Sequence, residues 1–366
     1  MSNTVRDTSY GNPSWLEKLG MTAALLVQLP PILAWTLLTS LFQDVNRRKN
    51  WKRVLFDKAC YFISTRLNVK QMQWAMGTTR AVYVNWVREQ RLPTMIEDLD
   101  DDASLLWIGE RRTDRVILYF HGGAYLFSMQ PHLANFWKHI QSELKEKNKD
   151  VGVAILQFSL VPTASFPTQL KQSVLALQHL ISTGIDPRNI QLAGDSAGAG
   201  LILQLLSHIL HPIPDVPLVS LSSPLGGAFL MSPWVSLTGT CPGGMIPDSQ
   251  SDMIGADAIL YWGREVLVDV PDSQIPYIEA LSAPKSWFAN IDTAVQRVLV
   301  TAGELECLRG GIEVFASTLG EHLKDVALDV YANGVHCEPH FAFLIKEKKS
   351  DELVLRIVEW LASGFD

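Results

Sequence analysis

The run Gln191-Leu192-Ala193-Gly194-Asp195-Ser196-Ala197-Gly198 sets a serine between two glycines, directly after an apolar stretch and directly before a leucine-rich one. This spacing suits a nucleophile. A serine on a sharp strand-to-helix turn sits in a strained backbone, and the flanking glycines let the turn pack closely while the hydroxyl projects outward. Ser196 would also stand at a helix N-terminus, whose dipole and free amides favour negative charge developing on a substrate. A bare Gly-x-Ser-x-Gly arises by chance in many proteins, so its weight comes from the strand and helix pattern around it.

A second glycine turn, Phe120-His121-Gly122-Gly123-Ala124-Tyr125, follows another apolar run. Alone it reads as a tight turn; beside the serine turn it predicts an oxyanion hole built from the N–H groups of Gly122, Gly123 and Ala197. Losing one such donor typically costs on the order of 100- to 1000-fold in rate. A hydroxyl attacks an ester only if its proton is taken, so a histidine and an orienting carboxylate should follow the serine along the chain. Asn333-Gly334-Val335-His336-Cys337-Glu338-Pro339-His340 offers His336, immediately after an Asn-Gly turn, in preference to His340. Gly303-Glu304-Leu305-Glu306-Cys307 offers Glu304 and Glu306 as the acid, with Asp252 and Asp325 as outside candidates. The His336 to His340 stretch does not read as a zinc helix. Its glutamate is misplaced for His-Glu-x-x-His, and Pro339 would disrupt that helix. No metal and no cofactor is predicted.

These turns need elements to hold them. From about residue 105, short β-branched or apolar runs alternate with longer helical ones, the signature of an α/β fold with a mostly parallel sheet covered on both faces. The strand candidates are 116–120, 151–158, 190–193, 227–231, 298–301 and 326–331. Helical periodicity falls at 133–145, 167–182, 197–210, 256–267, 310–319 and 351–362. Upstream, 51–95 reads as amphipathic helix that could roof a pocket or pack on the core, and Glu97 to Asp102 reads as a solvated loop.

Several motifs together resemble the hormone-sensitive-lipase-like branch of the α/β-hydrolases, over roughly residues 105 to 362. His121-Gly122-Gly123-Ala124-Tyr125 is similar to that branch's oxyanion motif, and Gly194-Asp195-Ser196-Ala197-Gly198 to its nucleophile elbow. Phe158-Ser159-Leu160-Val161-Pro162 and Met231-Ser232-Pro233-Trp234 resemble its aromatic-x-Leu-x-Pro and Ser-Pro-Trp stretches. The resemblance implies an α/β-hydrolase fold with an N-terminal helical cap and a Ser-acid-His site, with membrane-anchored steryl acetyl hydrolases and natural-product-pathway esterases closest in layout. It also favours Glu306, because Leu308-Arg309 follows it as in the family pattern. The chain departs where many members carry Asp-x-Leu-x-Asp and His-Gly-Phe: here stand Glu306-Cys307-Leu308-Arg309-Gly310 and His336-Cys337-Glu338.

The N-terminus sets this chain apart from an ordinary soluble enzyme. Leu19 to Gln43 carries no charged side chain and is long enough to cross a bilayer, although Pro30 and Pro31 would kink it or divide it into two segments lying in the interface or on the domain. It starts too late and runs too long for a cleaved signal peptide. Arg47, Arg48, Lys49, Lys52 and Arg53 follow it against Arg6 and Lys18 before it, which favours a single-pass anchor with a cytosolic catalytic domain, compatible with the endoplasmic reticulum. The expected domains are a tail over 1–18, the anchor over 19–43, a helical cap and linker over 44–104, and the catalytic domain over 105–366. A net charge of −7 without an extended basic run excludes nucleic acid as a partner, and four scattered cysteines read as reduced thiols. The expected activity is hydrolysis of a lipophilic or natural-product ester through an acyl-serine. A biosynthetic catalyst of condensation, cyclisation or acyl transfer, and a non-catalytic binding module, remain the alternatives.

Overall fold

In the computed structural model, residues 9–43, 46, 49–247, 251–347 and 350–365 are described. They form an 8-stranded sheet of order β1-β2-β4-β3-β5-β6-β7-β8. The strands are β1 (Ile96–Asp98), β2 (Ser104–Trp107), β3 (Val116–Phe120), β4 (Gly152–Gln157), β5 (Ile190–Asp195), β6 (Gly227–Met231), β7 (Val298–Gly303) and β8 (Val326–Tyr331). Only the β1–β2 and β2–β4 pairs are antiparallel; β4 through β8 pair in parallel.

Central strands β3 and β5 are buried at every residue; β3 reads as an unbroken apolar run, and β5 is interrupted by Gln191, whose amide donates to the Leu361 carbonyl at 2.8 Å. Their side chains alternate between two cores: Phe120, Leu192 and Leu230 enter one cluster, and Tyr119, Ala193 and Phe229 the other. Helices cover both faces. Each parallel strand delivers its following loop to the same edge, so His121, Ser196, Ser232, Glu306 and His336 converge there from five different strands.

Two features differ from expectation. The acidic stretch predicted as a loop begins with β1, where Ile96 pairs with Leu106 and Glu97 with Leu105, so the sheet starts before residue 105. An edge strand pairs on one side only and tolerates acidic residues facing water, which hides it from hydrophobic periodicity. The amphipathic region 51–95 resolves into three helices, Trp51–Arg66, Val69–Met76 and Thr79–Gln90. The third packs on the core, burying Tyr83, Trp86 and Val87, while the first two reach the catalytic edge.

The apolar N-terminal segment is one continuous helix, Trp15–Phe42, of 28 residues. It starts inside the stretch expected to be a tail, because Ser14 and Glu17 form a capping box. A π-helical turn, Ala24–Gln28, precedes Pro30 and Pro31, which sit in the first turn of the next α segment where missing N–H groups cost little. Of the flanking cations, Lys49 pairs with Asp57, and Arg53 is buried against Asp57 and Glu338, so these two serve internal ion pairs rather than a charged membrane flank. Arg47 and Arg48 lie outside the described residues, as does Arg6.

Candidate active site

Ser196 follows β5 directly, with φ 51° and ψ −119°, a left-handed backbone that its surroundings hold in place. Its N–H donates to the Met231 carbonyl at 2.8 Å, and its own carbonyl accepts from Trp234 at 3.1 Å. Helix Ala197–Leu210 starts immediately after it. A Cβ on Gly198 would collide with the Phe120 carbonyl oxygen, so only glycine lets the elbow close on β3.

The oxyanion turn lies alongside, and here one expectation is corrected. The Gly122 N–H already donates to Asp195 Oδ1 at 3.0 Å. Among the described residues the amides of Gly123, Ala124 and Ala197 have no partner, so these three, and not the Gly122 amide, are free to receive a substrate oxygen. Gly123 takes φ +110° and packs so close to the Phe127 carbonyl that a Cβ would sit 2.6 Å from its oxygen. Asp195 thereby clamps the oxyanion turn to the elbow, taking a further 2.5 Å hydrogen bond from Tyr119. Burial pushes its carboxyl up to about 6 despite these bonds. Buried His121 contributes no reacting group: Nδ1 donates to the Gly122 carbonyl at 2.7 Å and Nε2 accepts from Thr79 at 3.3 Å. Burial lowers its pKa to about 4 and keeps the ring neutral.

The base and acid loops meet at the other wall. His336 Nδ1 lies 3.2 Å from Glu306 Oε1. The second Glu306 oxygen accepts from Ser232 Oγ at 2.7 Å and from the Gly303 amide at 2.6 Å. Both residues are buried, and Nε2 is the ring nitrogen left to take a proton. Burial opposes the His336 imidazolium, the Glu306 carboxylate beside it favours it, and the balance holds it well above the usual histidine value. The Cys337 thiol is itself pushed up to about 11 by burial and stays protonated near neutrality. Ser196 and His336 line the same cavity without a hydrogen bond between them.

The competing candidates separate by geometry. Glu304 is exposed and accepts from the Asn333 amide at 2.7 Å. Asp325 is exposed and faces Arg297. His340 lines the cavity fully buried, with neither ring nitrogen hydrogen-bonded. Asp252 has a bracing position: its carboxylate accepts the His336 amide at 3.0 Å and the Cys307 amide at 2.9 Å, tying the base loop to the acid loop. Ser232 does the same from β6, donating to Glu306 and accepting the Cys337 amide at 3.0 Å. Sequence reading gave Ser232 no role. Its place just beyond a parallel strand was the available signal.

These groups open into a cavity of about 420 Å³ whose other walls are mostly apolar, with Phe56, Ile63, Met72 and Met76 from the first two cap helices and Trp262 and Phe341 from the domain. The cap is fixed to the base loop by a buried ion pair: both Arg53 terminal nitrogens reach Glu338, at 2.9 and 2.5 Å, and Glu338 accepts the Val335 amide at 2.9 Å.

Residues 117–340, more than half of the chain, match the α/β-hydrolase fold family, and the chain belongs to it. It is 32% identical over 168 residues to an acetyl-hydrolase of Streptomyces hygroscopicus, covering 45% of this chain and 47% of that one. It is 26% identical over 238 residues, 60% of each chain, to a Schizosaccharomyces pombe protein that bears the name of a steryl acetyl hydrolase. The matches thus span about half to three-fifths of these relatives' lengths. An esterase from the bacterial hormone-sensitive lipase family has the same fold, with a TM-score of 0.63 at 20% identity over 85% of this chain and 96% of that one.

Proposed function

We propose that this chain is a serine carboxylic-ester hydrolase acting on a lipophilic ester with a short acyl group. The observation that carries the reading is the buried Glu306–His336 pair in one cavity with Ser196 on its strained elbow and three unpartnered amides beside it. His336 Nε2 takes the Ser196 proton as Oγ bonds to the ester carbonyl carbon. Negative charge passes to the carbonyl oxygen, where the amides of Gly123, Ala124 and Ala197 receive it. Collapse of this intermediate breaks the bond to the alcohol oxygen, which leaves with the proton from His336. Water then repeats the sequence on the acyl-serine, releasing the acid. Glu306 holds the ring in the required tautomer and stabilises the imidazolium. The apolar cavity walls support a lipophilic substrate, and the names of the two curated relatives support an acetyl group. Helix Trp15–Phe42 supports membrane association.

Hydrolysis of p-nitrophenyl acetate and butyrate, with fluorophosphonate labelling, tests the proposal. Wild type should turn over and label. Ser196→Ala and His336→Ala should lose activity by on the order of 10⁴-fold or more, and Ser196→Ala should not label. A wild type that neither labels nor turns over would leave a binding module. Labelling without turnover of either ester would point to a specialised biosynthetic reaction.

A further inference from the structure

Both ends of the Trp15–Phe42 helix are fastened to the catalytic unit. At its N-terminal end, Tyr10 Oη donates to the Gly77 carbonyl at 3.0 Å, and the Gly11 amide to Gln73 Oε1 at 3.0 Å. Gln71 Nε2 donates to the Glu17 carbonyl at 2.6 Å, Asn68 Nδ2 to Glu17 Oε1 at 2.8 Å, and the Lys18 ammonium lies 4.9 Å from the Trp74 ring centre. Near its other end the Leu29–Thr39 segment packs on cap helix Trp51–Arg66, and Lys49 just beyond closes on Asp57 at 2.7 Å. A stripe containing Met21, Ala24, Leu25, Leu29 and Ile32 faces the core between these fastenings.

A spanning helix parts company with its domain at one end. At about 1.5 Å per residue, these 28 residues extend roughly 42 Å, against a hydrocarbon core of about 30 Å. The two fastened ends therefore cannot lie on opposite faces of a bilayer while the polar cap residues holding the first end stay in water. Yet the outward stripe is strongly apolar. Leu26, Val27, Trp35, Leu38, Leu41 and Phe42 are each about 70% exposed or more, and no charged side chain occurs from Leu19 to Gln43. An uncharged face of this length, offering a partner protein nothing to pair with, fits a continuous apolar medium.

We propose that the helix lies in the plane of one leaflet, with its outward stripe in the acyl region and its inner stripe holding the catalytic domain against that same surface. The cap helices that it touches also line the catalytic cavity, so the cavity is held close to the leaflet in which lipophilic esters dissolve.

This inference rests on the membrane reading given above, and the experiment separates the two. The full chain and a Leu26→Gln, Leu38→Gln, Phe42→Gln variant are floated with phosphatidylcholine vesicles. Wild type should float and the variant remain in solution with unchanged p-nitrophenyl acetate turnover. In parallel, Asn12→Cys and Gln43→Cys chains are made in the presence of sealed microsomes and treated with a membrane-impermeant maleimide, with the unsubstituted chain as the background. Labelling of both without detergent is expected. Protection of Asn12→Cys until detergent is added would establish a span and overturn the in-plane arrangement while leaving membrane association intact. Failure of wild type to float would overturn both, and a discrete dimer lost in the triple variant would reassign the stripe to a second copy of this chain.

Discussion

Asp252 stands outside the proposed Ser196–His336–Glu306 triad, yet it accepts the amides of His336 and Cys307 from two loops at once. Each N–H bond to a buried carboxylate is worth about 1.5–3 kcal/mol, and an amide group in its place would turn a donor toward one of these N–H groups. Asp252→Asn should therefore lower kcat by roughly 10- to 100-fold and change KM by less than about twofold. A matching loss in KM, or none in kcat, would remove its positioning role. The charge on Glu306 has its own signature. Only neutral His336 can accept the serine proton, and its pKa is held above the ordinary value of about 6.5, so the acid limb of kcat/KM should lie on the alkaline side of that value. Glu306→Gln removes the upward pull of the carboxylate. Its limb should move to lower pH while kcat falls on the order of 10⁴-fold. An unmoved limb would show that Glu306 does not act on His336.

At the scale of elements, the cap and the base loop meet through Arg53 and Glu338, each with a side chain only 1% exposed. Breaking such a pair from one side leaves a buried charge without its partner and typically costs about 3–5 kcal/mol. Arg53→Met should lower the unfolding free energy measured in urea by that cost and also depress turnover, because Glu338 braces the Val335 amide next to His336. The double variant Arg53→Met, Glu338→Gln should recover part of the stability, since Asp57 keeps Lys49 while Glu347 also loses Arg53. If the double variant unfolds as readily as the single, buried charge is not the cause.

Across the whole molecule, acid should weaken the fold. His121 is held neutral with a pKa of about 4, whereas its unfolded counterpart protonates near 6.5. Between these values the unfolded chain binds the extra proton, so stability falls as pH falls, by about 3 kcal/mol for this residue when pH 4 is reached. Burial lowers His132 to about 4 as well, in the same direction. Asp195, raised to about 6, works in the opposite sense and recovers part of the loss. Urea unfolding from pH 7 to 4.5 checks the sum. His121→Asn keeps a donor for the Gly122 carbonyl and should flatten the decline. Equal slopes in both proteins would acquit His121.

Much of this was legible in the residues. The parallel sheet announced itself because strands buried on both faces carry largely apolar runs, and Gly194-Asp195-Ser196-Ala197-Gly198 is local chemistry, since its glycines answer to clashes within a few residues and with β3. What the sequence determined was the tight turn that carries Ser196, the order along the chain of the loops carrying Ser196, Glu306 and His336, and an uncharged helix long enough to matter to a membrane. Tertiary structure decided what one-dimensional spacing cannot carry. It turned Glu306 inward and Glu304 out to solvent, committed the Gly122 amide to Asp195, set Ser232 and Asp252 as braces, and drew Arg53 away from a supposed membrane flank into a buried pair. It also laid the apolar helix along the domain, because the residues fastening its first end lie more than 50 positions away in sequence and meet it only in the folded chain.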